Sequence, residues 1–302
     1  SDIYSPYLPA AKQGETAHRY VLGLYHIMDE LTTRFPEILF EGCSSGGNRF
    51  DLGILSYFPQ IWASDNTDAL CRTGIQNSYS YGYPLSVFTA HVSSCPNHQT
   101  LRITPLETRF QVASFGILGY ECNLKDLSGS DLNAIREQIA FYKKWRDVFQ
   151  FGSFYRGAEN EASDSETLSW TCVSPDGRRA VGLFFRRLTV PNQSHDWYRP
   201  VGLLPDVKYH FYGRNIKYNL KDFGDLVNTV SPVHIKQGSA LQEILSRFVN
   251  MDGEKEELTA YGDTLMRAGI ALKPAFAGTG YNSDTRLFPD FSSRIYFMEA
   301  VE

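Results

Sequence analysis

The sequence lacks long apolar runs, long runs of like charge and the cysteine spacings that mark metal sites or disulfide frameworks. No stretch of about eighteen apolar residues occurs, so no transmembrane helix and no membrane partner are predicted. No run of like charges reaches five, and the net charge is −5 with a pI near 5.8. This charge argues against nucleic acid or an anionic membrane surface as the partner.

The cysteines and histidines also exclude common kinds of site. The cysteines are odd in number and contain no CxxC pair: Cys43, Cys71, Cys95, Cys122 and Cys172. Such a pattern favours reduced thiols of a cytoplasmic protein over a disulfide framework or a zinc site. The seven histidines show no HExxH or similar spacing. The sequence therefore predicts no metal or other cofactor.

What the chain does contain is a globular composition rich in aromatic residues. At 302 residues and 34.2 kDa it has room for one large domain or two ordinary ones. Aromatic residues make up 14% of the chain. Rings that stack on sugar faces would account for this content, and so would a core rich in β-structure.

The first half of the chain alternates segments of helical and strand character. Helical spacing or capping predicts helices over residues 14–35, 66–79 and 128–149, with a short amphipathic piece over 49–57. Strands are predicted over residues 38–40, 60–62, 84–92 and 110–118. These segments make about four β–α units, whereas a TIM barrel needs eight. Four units cannot close such a barrel, so either the first domain, residues 1–151, is half of a barrel or the barrel interpretation is wrong.

The second half has the sequence pattern of an antiparallel β domain. Short alternating or aromatic strands are predicted over residues 170–173, 180–185, 209–212 and 293–298, with turn dipeptides between them. The second domain is accordingly predicted to span residues 152–302. The fold class is α/β followed by all-β.

Asp65 is the best candidate for acid or base chemistry. It follows the predicted strand 60–62, and side chains at the ends of barrel strands point over the active site. The apolar face of Trp62 would desolvate the carboxyl group and raise its pKa. The same residues are also a good helix start, with Asp65 or Asn66 as the N-cap. The residues alone do not separate these two interpretations.

For other polar residues near Asp65, a structural role is an alternative to a role in the site. Asp68 lies four residues before Arg72, which favours a role in the helix dipole and an ion pair. Glu41 can orient a neighbour by hydrogen bonding. Asn48 and Arg49 either bond a hydroxyl group or anchor their loop. The loop 96–99 after the third strand is more often structural than part of a site.

Two blocks resemble the signatures of glycoside hydrolase family 36, the retaining α-galactosidases. They are residues 40–51 (FEGCSSGGNRFD) and 59–68 (PQIWASDNTD), supported by residues 4–8, 90–93, 96–99 and 290–294. The resemblance implies a (β/α)8 TIM barrel followed by an antiparallel β-sandwich. It also implies α-galactoside oligosaccharides as substrates and a homotetramer as the assembly.

Position by position, the resemblance assigns roles to particular residues. It implies that Asp65 is the general acid/base and that Trp62 and Cys43 line the galactose subsite. Contacts with sugar hydroxyls are implied for the glycine-rich loop, namely for Ser44, Gly46, Asn48 and Arg49. No cofactor is implied.

The chain departs from the family pattern at its start. The family's nucleophile is an aspartate in a Lys-Trp-Asp block, which does not occur here. We therefore expect the chain to correspond to the C-terminal part of a longer enzyme, with half of the barrel, and to be inactive alone. Two other interpretations stay open: a relative that transfers galactose to a sugar, as raffinose synthases do, and a non-catalytic sugar-binding fragment.

Overall fold

The structure is a computed structural model that describes residues 3–158, 166–190, 195–229, 231–246, 248–274, 276 and 285–301. The chain divides into two compact units. The first comprises Ser1–Asp65 with Val87–Thr89, and the second comprises Asn66–Ser86 with Ala90–Glu302. None of the described helices combines the length and apolar character needed to cross a membrane.

The first unit is built from two helices and short parallel strands. These are α1 (Gln13–Arg34), β1 (Glu41–Gly42), α2 (Leu52–Leu55), β2 (Gln60–Trp62) and the start of β3 (Phe88–Ser93). In the parallel register, Gly42 lies opposite Ile61, and Trp62 lies opposite Thr89. Ile61 packs with Met28 of α1 in a small core. This packing holds β2 against α1, and β2 leads directly to Asp65.

The predicted helix over 14–35 and strand over 60–62 are confirmed, but the strand predicted over 38–40 is wrong. The strand instead occupies Glu41–Gly42, where the backbone pairs with β2. Ile38 and Leu39 are more than half exposed. Gly42 suits the paired position because a Cβ there would lie 2.8 Å from Cδ1 of Ile61. Close packing against β2 therefore sets the strand, and local hydrophobicity does not.

The second unit begins with α3 and ends with a β domain. Its first elements are α3 (Ala69–Tyr79), the rest of β3, α4 (Leu106–Ala113), β4 (Ile117–Glu121) and α5 (Gly129–Phe151). Single 3-10 turns occur at Ala10–Lys12, Leu85–Val87 and Leu124–Asp126. The strands of the half-barrel sheet follow the order β1-β2-β3-β4. The helix predicted over 128–149 is confirmed as α5, and Ser128 caps it by accepting from the Asp131 N–H at 3.1 Å.

The strand predicted over 110–118 is wrong, since residues 110–113 belong to α4 and only residues 117 and 118 belong to a strand. Helical spacing brings Thr108 and Gln111 to one face, and both are buried. Oγ1 of Thr108 accepts from the Ser293 N–H at 3.1 Å, and Oε1 of Gln111 accepts from the Ser293 hydroxyl at 2.7 Å. A partner far along the chain therefore makes these polar residues part of a core. The strand follows at Ile117–Glu121.

The β domain is organised around one six-stranded antiparallel sheet with the order β12-β9-β14-β7-β6-β5. Its strands are β5 (Ser153–Arg156), β6 (Thr167–Val173), β7 (Arg179–Arg186), β9 (Lys208–Gly213), β12 (Glu257–Tyr261) and β14 (Ser292–Ala300). The four predicted strands of this half are thus confirmed. The boundary between residues 151 and 152 stays a prediction.

Two further ladders and three helical segments complete the domain. They are β8 (Trp197–Tyr198) with β13 (Ile270–Ala271), β10 (Lys217–Asn219) with β11 (Asn250–Asp252), a 3-10 segment over Leu220–Thr229, α6 (Ala240–Leu245) and α7 (Gly262–Arg267). Tyr198 and Ile270 pack in one buried cluster with Phe184, Phe211 and Tyr296 of the large sheet. The β8–β13 ladder therefore forms a second layer over that sheet.

Candidate active site

Asp65 lies three residues beyond the carboxyl end of β2, where its side chain is exposed. The indole Nε1–H of Trp62 donates a hydrogen bond to Oδ1 of Asp65 at 2.8 Å. The sequence predicted that the apolar face of Trp62 would desolvate this carboxyl group, and that is wrong. The indole instead presents its N–H edge, which stabilises a carboxylate.

The loop after β1 forms a left-handed turn against Asp65. Ser44, Ser45, Gly46 and Gly47 all have positive φ, at 75°, 55°, 75° and 91°. The Asn48 N–H closes the turn on the carbonyl of Ser44 at 3.3 Å. A Cβ on Gly46 would lie 2.9 Å from the nitrogen and 3.2 Å from the carboxyl carbon of Asp65. The absence of a side chain at Gly46 is therefore what admits the carboxyl group.

Asn48 and Arg49 both anchor the loop. Nδ2 of Asn48 donates to the carbonyl of Ser45 at 3.1 Å. Nη2 of Arg49 donates to the hydroxyl of Tyr20 on α1 at 3.0 Å, and the guanidinium lies 5.9 Å from the centre of that ring. Of the two roles left open by the sequence, these contacts serve the structural one. Contact with a sugar hydroxyl stays a prediction.

Cys43 and Glu41 lie at the carboxyl end of β1. Cys43 is a free, exposed thiol. Glu41 accepts a hydrogen bond from Nε2 of Gln60 on the neighbouring strand. Glu41 is thus held against β2, in keeping with the orienting role considered for it.

The helix after Asp65 is capped by Asp68, so the alternative that Asp65 or Asn66 is the N-cap is wrong. Helix α3 begins at Ala69, and Oδ1 of Asp68 accepts from the Cys71 N–H at 3.0 Å. Oδ1 of Asn66 accepts from the Asp68 N–H at 3.1 Å, which shapes the approach to the helix. Asp65 therefore stands before the helix, and its carboxyl group is not used to cap it.

Asp68 makes an ion pair with Arg102, a residue that sequence reasoning missed. The sequence pointed to Arg72, four residues away, but the contact is with Nη1 of Arg102 at 2.5 Å. The hydroxyl of Thr100 also donates to Oδ2 of Asp68 at 2.8 Å. Burial alone would raise the pKa of Asp68, but these bonds and the Cys71 N–H outweigh it and hold the pKa below its ordinary value. No local signal identifies a partner 34 residues away.

The loop 96–99 is structural in its described contacts. Oδ1 of Asn97 accepts from the Gln99 and Thr100 N–H groups, at 3.0 and 3.1 Å. Its Nδ2 donates to Oγ1 of Thr67 at 3.2 Å. Asn97 therefore ties the loop to the residue next to the helix cap. This agrees with the interpretation that the sequence favoured.

Within the described part of the chain, no group of three or more His, Cys, Asp or Glu side chains could hold a metal ion. All five cysteines are free thiols. The chemistry that the geometry supports is that of a single positioned carboxyl group beside an anchored left-handed turn.

Known proteins match this chain over both of its halves. Residues 1–152 match the family model described as Melibiase, and residues 167–298 match the Glycosyl hydrolase family 36 C-terminal domain. Alpha-galactosidase 1 of Pediococcus pentosaceus is 48% identical over 209 residues, covering 69% of this chain and 28% of the relative. Alpha-galactosidase AgaA of Geobacillus stearothermophilus is 45% identical over 216 residues, covering 72% and 29%.

Solved structures agree with the fold. The α-galactosidase from Lactobacillus brevis matches with a TM-score of 0.77 at 35% identity, covering 100% of this chain and 34% of that one. A variant of AgaA in complex with raffinose matches with a TM-score of 0.75 at 37% identity, with the same coverage. The prediction of a partial barrel followed by a β domain is confirmed. The chain spans less than a third of the length of these curated relatives.

Proposed function

Since the chain belongs to glycoside hydrolase family 36, we propose that it supplies the acid/base part of an α-galactosidase active site. The substrates are terminal α-galactosides of the melibiose or raffinose type. One observation carries the proposal: Asp65 stands at the carboxyl end of β2, bonded by Trp62 and left unused by the helix that follows. Relatives at 45% and 48% identity named α-galactosidases support it.

The proposed reaction is a double displacement with retention at the anomeric carbon. Asp65 protonates the leaving oxygen while an aspartate outside these 302 residues attacks C1. Asp65 then takes a proton from the incoming water, which hydrolyses the galactosyl intermediate. Such a mechanism needs the two carboxyl groups about 5–5.5 Å apart.

The galactose subsite is proposed to include the residues around Asp65. Trp62 and Cys43 form its wall, and the loop residues Ser44, Gly46, Asn48 and Arg49 contact sugar hydroxyls. The exposure of Cys43 and the contact of Gly46 with Asp65 support this placement. The loop anchors made by Asn48 and Arg49 would hold the subsite in shape.

The first test is Asp65→Asn in the full-length enzyme that contains this chain. Loss of the acid should lower kcat/KM on raffinose by about 10²–10⁴-fold. An aryl galactoside should lose less in the first step, because its leaving group needs little protonation. The matched control is Asp51→Asn, at the cap of α2, which should keep normal activity. Normal hydrolysis of raffinose by Asp65→Asn would refute the proposal.

The cellular location and the oligomeric state of the enzyme are proposed together with the activity. The enzyme acts in the cytoplasm, which five free thiols support, and it assembles as a homotetramer, as the family resemblance implies. Light scattering after gel filtration measures the assembly. Product analysis with added acceptor sugars separates hydrolysis from galactosyl transfer.

A further inference from the structure

The two carboxyl oxygens of Asp65 have different surroundings. Oδ1 accepts the indole N–H of Trp62 at 2.8 Å. Among the residues that the structure describes, Oδ2 has no hydrogen-bond donor within reach. The carboxyl group is therefore held by one oxygen and open at the other.

Gly46 lies beside the same carboxyl group. A Cβ built on Gly46 would lie 3.4 Å from Oδ1 and 3.2 Å from the carboxyl carbon. The absence of a side chain at Gly46 therefore leaves room for the carboxyl group beside the left-handed turn. The bond from the indole N–H to Oδ1 is what opposes a rotation of the group that would exchange Oδ1 and Oδ2.

We propose that the indole N–H of Trp62 is a positioning group that fixes Oδ1, so that the catalytic proton is carried on Oδ2. The inference rests on the proposed function and deepens it. In the first step the Oδ2–H bond breaks and a new O–H bond forms on the glycosidic oxygen, which takes the electron pair of its bond to C1. Asp65 is left as a carboxylate, and the N–H stabilises the negative charge that develops.

In this role the N–H group accelerates a reaction most when the proton is largely transferred in the transition state. A sugar leaving group needs a full proton in the transition state, whereas a nitrophenolate needs very little. Loss of the N–H should therefore slow the two classes of substrate to different extents. Loss of sugar stacking, or of general stability, would slow both alike because they share the galactosyl group.

The test replaces Trp62 in the full-length enzyme in two ways. Trp62→Phe removes the N–H and part of the ring, and incorporation of 3-benzothienylalanine replaces only the N–H by sulfur in a ring of nearly the same shape. We expect the ratio of kcat on raffinose to kcat on 4-nitrophenyl α-galactoside to fall about tenfold in both variants, consistent with a hydrogen bond to a charged group. KM for the benzothienyl variant should stay close to that of the wild type.

The control and the contrary outcomes keep the two proposals apart. Trp197→Phe makes the same change at a half-exposed tryptophan of the β domain and should leave the ratio unchanged. An equal loss on both substrates for the benzothienyl variant would overturn the role of the N–H, and the proposed function would still stand if Asp65→Asn lost raffinose hydrolysis. Normal raffinose hydrolysis by Asp65→Asn would overturn the function itself.

Discussion

At the scale of single residues, the left-handed turn beside Asp65 contains two residues that pay a conformational cost. Ser44 and Ser45 have φ of 75° and 55°, in the region that disfavours residues with a Cβ. Each such residue costs about 1–2 kcal/mol relative to its ordinary conformation. Strain of this kind persists where surrounding contacts over-determine the backbone. Here those contacts include the Asn48 bond and the packing of Gly46 on Asp65.

Replacing either strained serine by glycine should stabilise the protein. Ser45→Gly removes the cost of the left-handed conformation but adds about 0.5–1 kcal/mol of unfolded-state entropy. The expected net gain is about 0.5 kcal/mol in the free energy of unfolding. Urea titration of the full-length enzyme measures it, and Ser44→Gly should behave alike.

Ser56→Gly is the control for this prediction. Ser56 has φ of −67°, so glycine there brings only the entropic cost and the loss of one exposed side-chain bond. It should destabilise the protein. If Ser44→Gly and Ser45→Gly destabilise it to the same extent, the turn stores no strain.

At the scale of elements, three sequence stretches that are far apart converge at the start of α3. Thr67 and Asp68 lie before the helix and bond to Asn97 and Arg102 from the loop after β3. The guanidinium of Arg102 also lies 4.8 Å from the centre of the Phe291 ring, just before β14. Thr67 and Asp68 belong to the signature block 59–68, whereas Asn97 and Phe291 belong to the supporting stretches 96–99 and 290–294. The contacts among these residues show that the stretches pack together in the folded chain.

Asp68→Asn should destabilise the protein in a pH-dependent way. Asparagine keeps a cap but loses the ion pair, which leaves the guanidinium without its partner. The Asp68 side chain is 1% exposed and that of Arg102 is 25% exposed, so we expect a loss of about 2–4 kcal/mol near pH 7. Because the pKa of Asp68 is lowered, its stabilisation is present above the ordinary aspartate pKa.

The sign of the pH effect provides the check. As the pH falls below about 4 and through the folded-state pKa, the stabilisation is lost. The difference in unfolding free energy between wild type and Asp68→Asn should therefore shrink in acid. Asp176, whose pKa is also lowered but which is fully exposed, gives the control variant Asp176→Asn, for which a much smaller effect is expected. A difference that does not change with pH would contradict the ion-pair role.

At the scale of the whole molecule, the first forty residues carry an unusual amount of exposed apolar surface. The large hydrophobic residues exposed there are Ile3, Tyr4, Tyr7, Tyr20, Val21, Leu22, Ile27, Phe35, Ile38 and Leu39. Only Met28 is buried on α1. Apolar surface that is exposed to this extent favours association with other protein where it is contiguous.

The 302-residue chain by itself should be inactive and should self-associate. Inactivity follows from the proposed need for a second carboxylate outside this chain, and self-association follows from the exposed apolar residues. Assays on melibiose and light scattering measure both. Leu22→Lys should reduce self-association, whereas Leu188→Lys, at a similarly exposed leucine of the β domain, should not. A soluble, active monomer would refute this prediction.

The sequence by itself determined the family, the half-barrel followed by a β domain, and the strand that leads to Asp65. These depend on local patterns: apolar periodicity, turn dipeptides and signature blocks whose residues are adjacent in the chain. It also singled out Asp65, though it left open whether that residue was an acid or a helix cap.

Only the tertiary structure decided that Asp68 is the cap, that Arg102 is its partner, and that residues 106–113 form a helix. The cap bond of Asp68 is local, to the Cys71 N–H. The ion pair joins residues 34 positions apart and α4 buries Thr108 against a partner 185 positions away, and no local pattern specifies such partners. The same holds for the indole of Trp62. The sequence shows that a tryptophan stands near Asp65. Whether the ring presents its face or its N–H edge to Asp65 depends on the packing of β2 and of the left-handed turn.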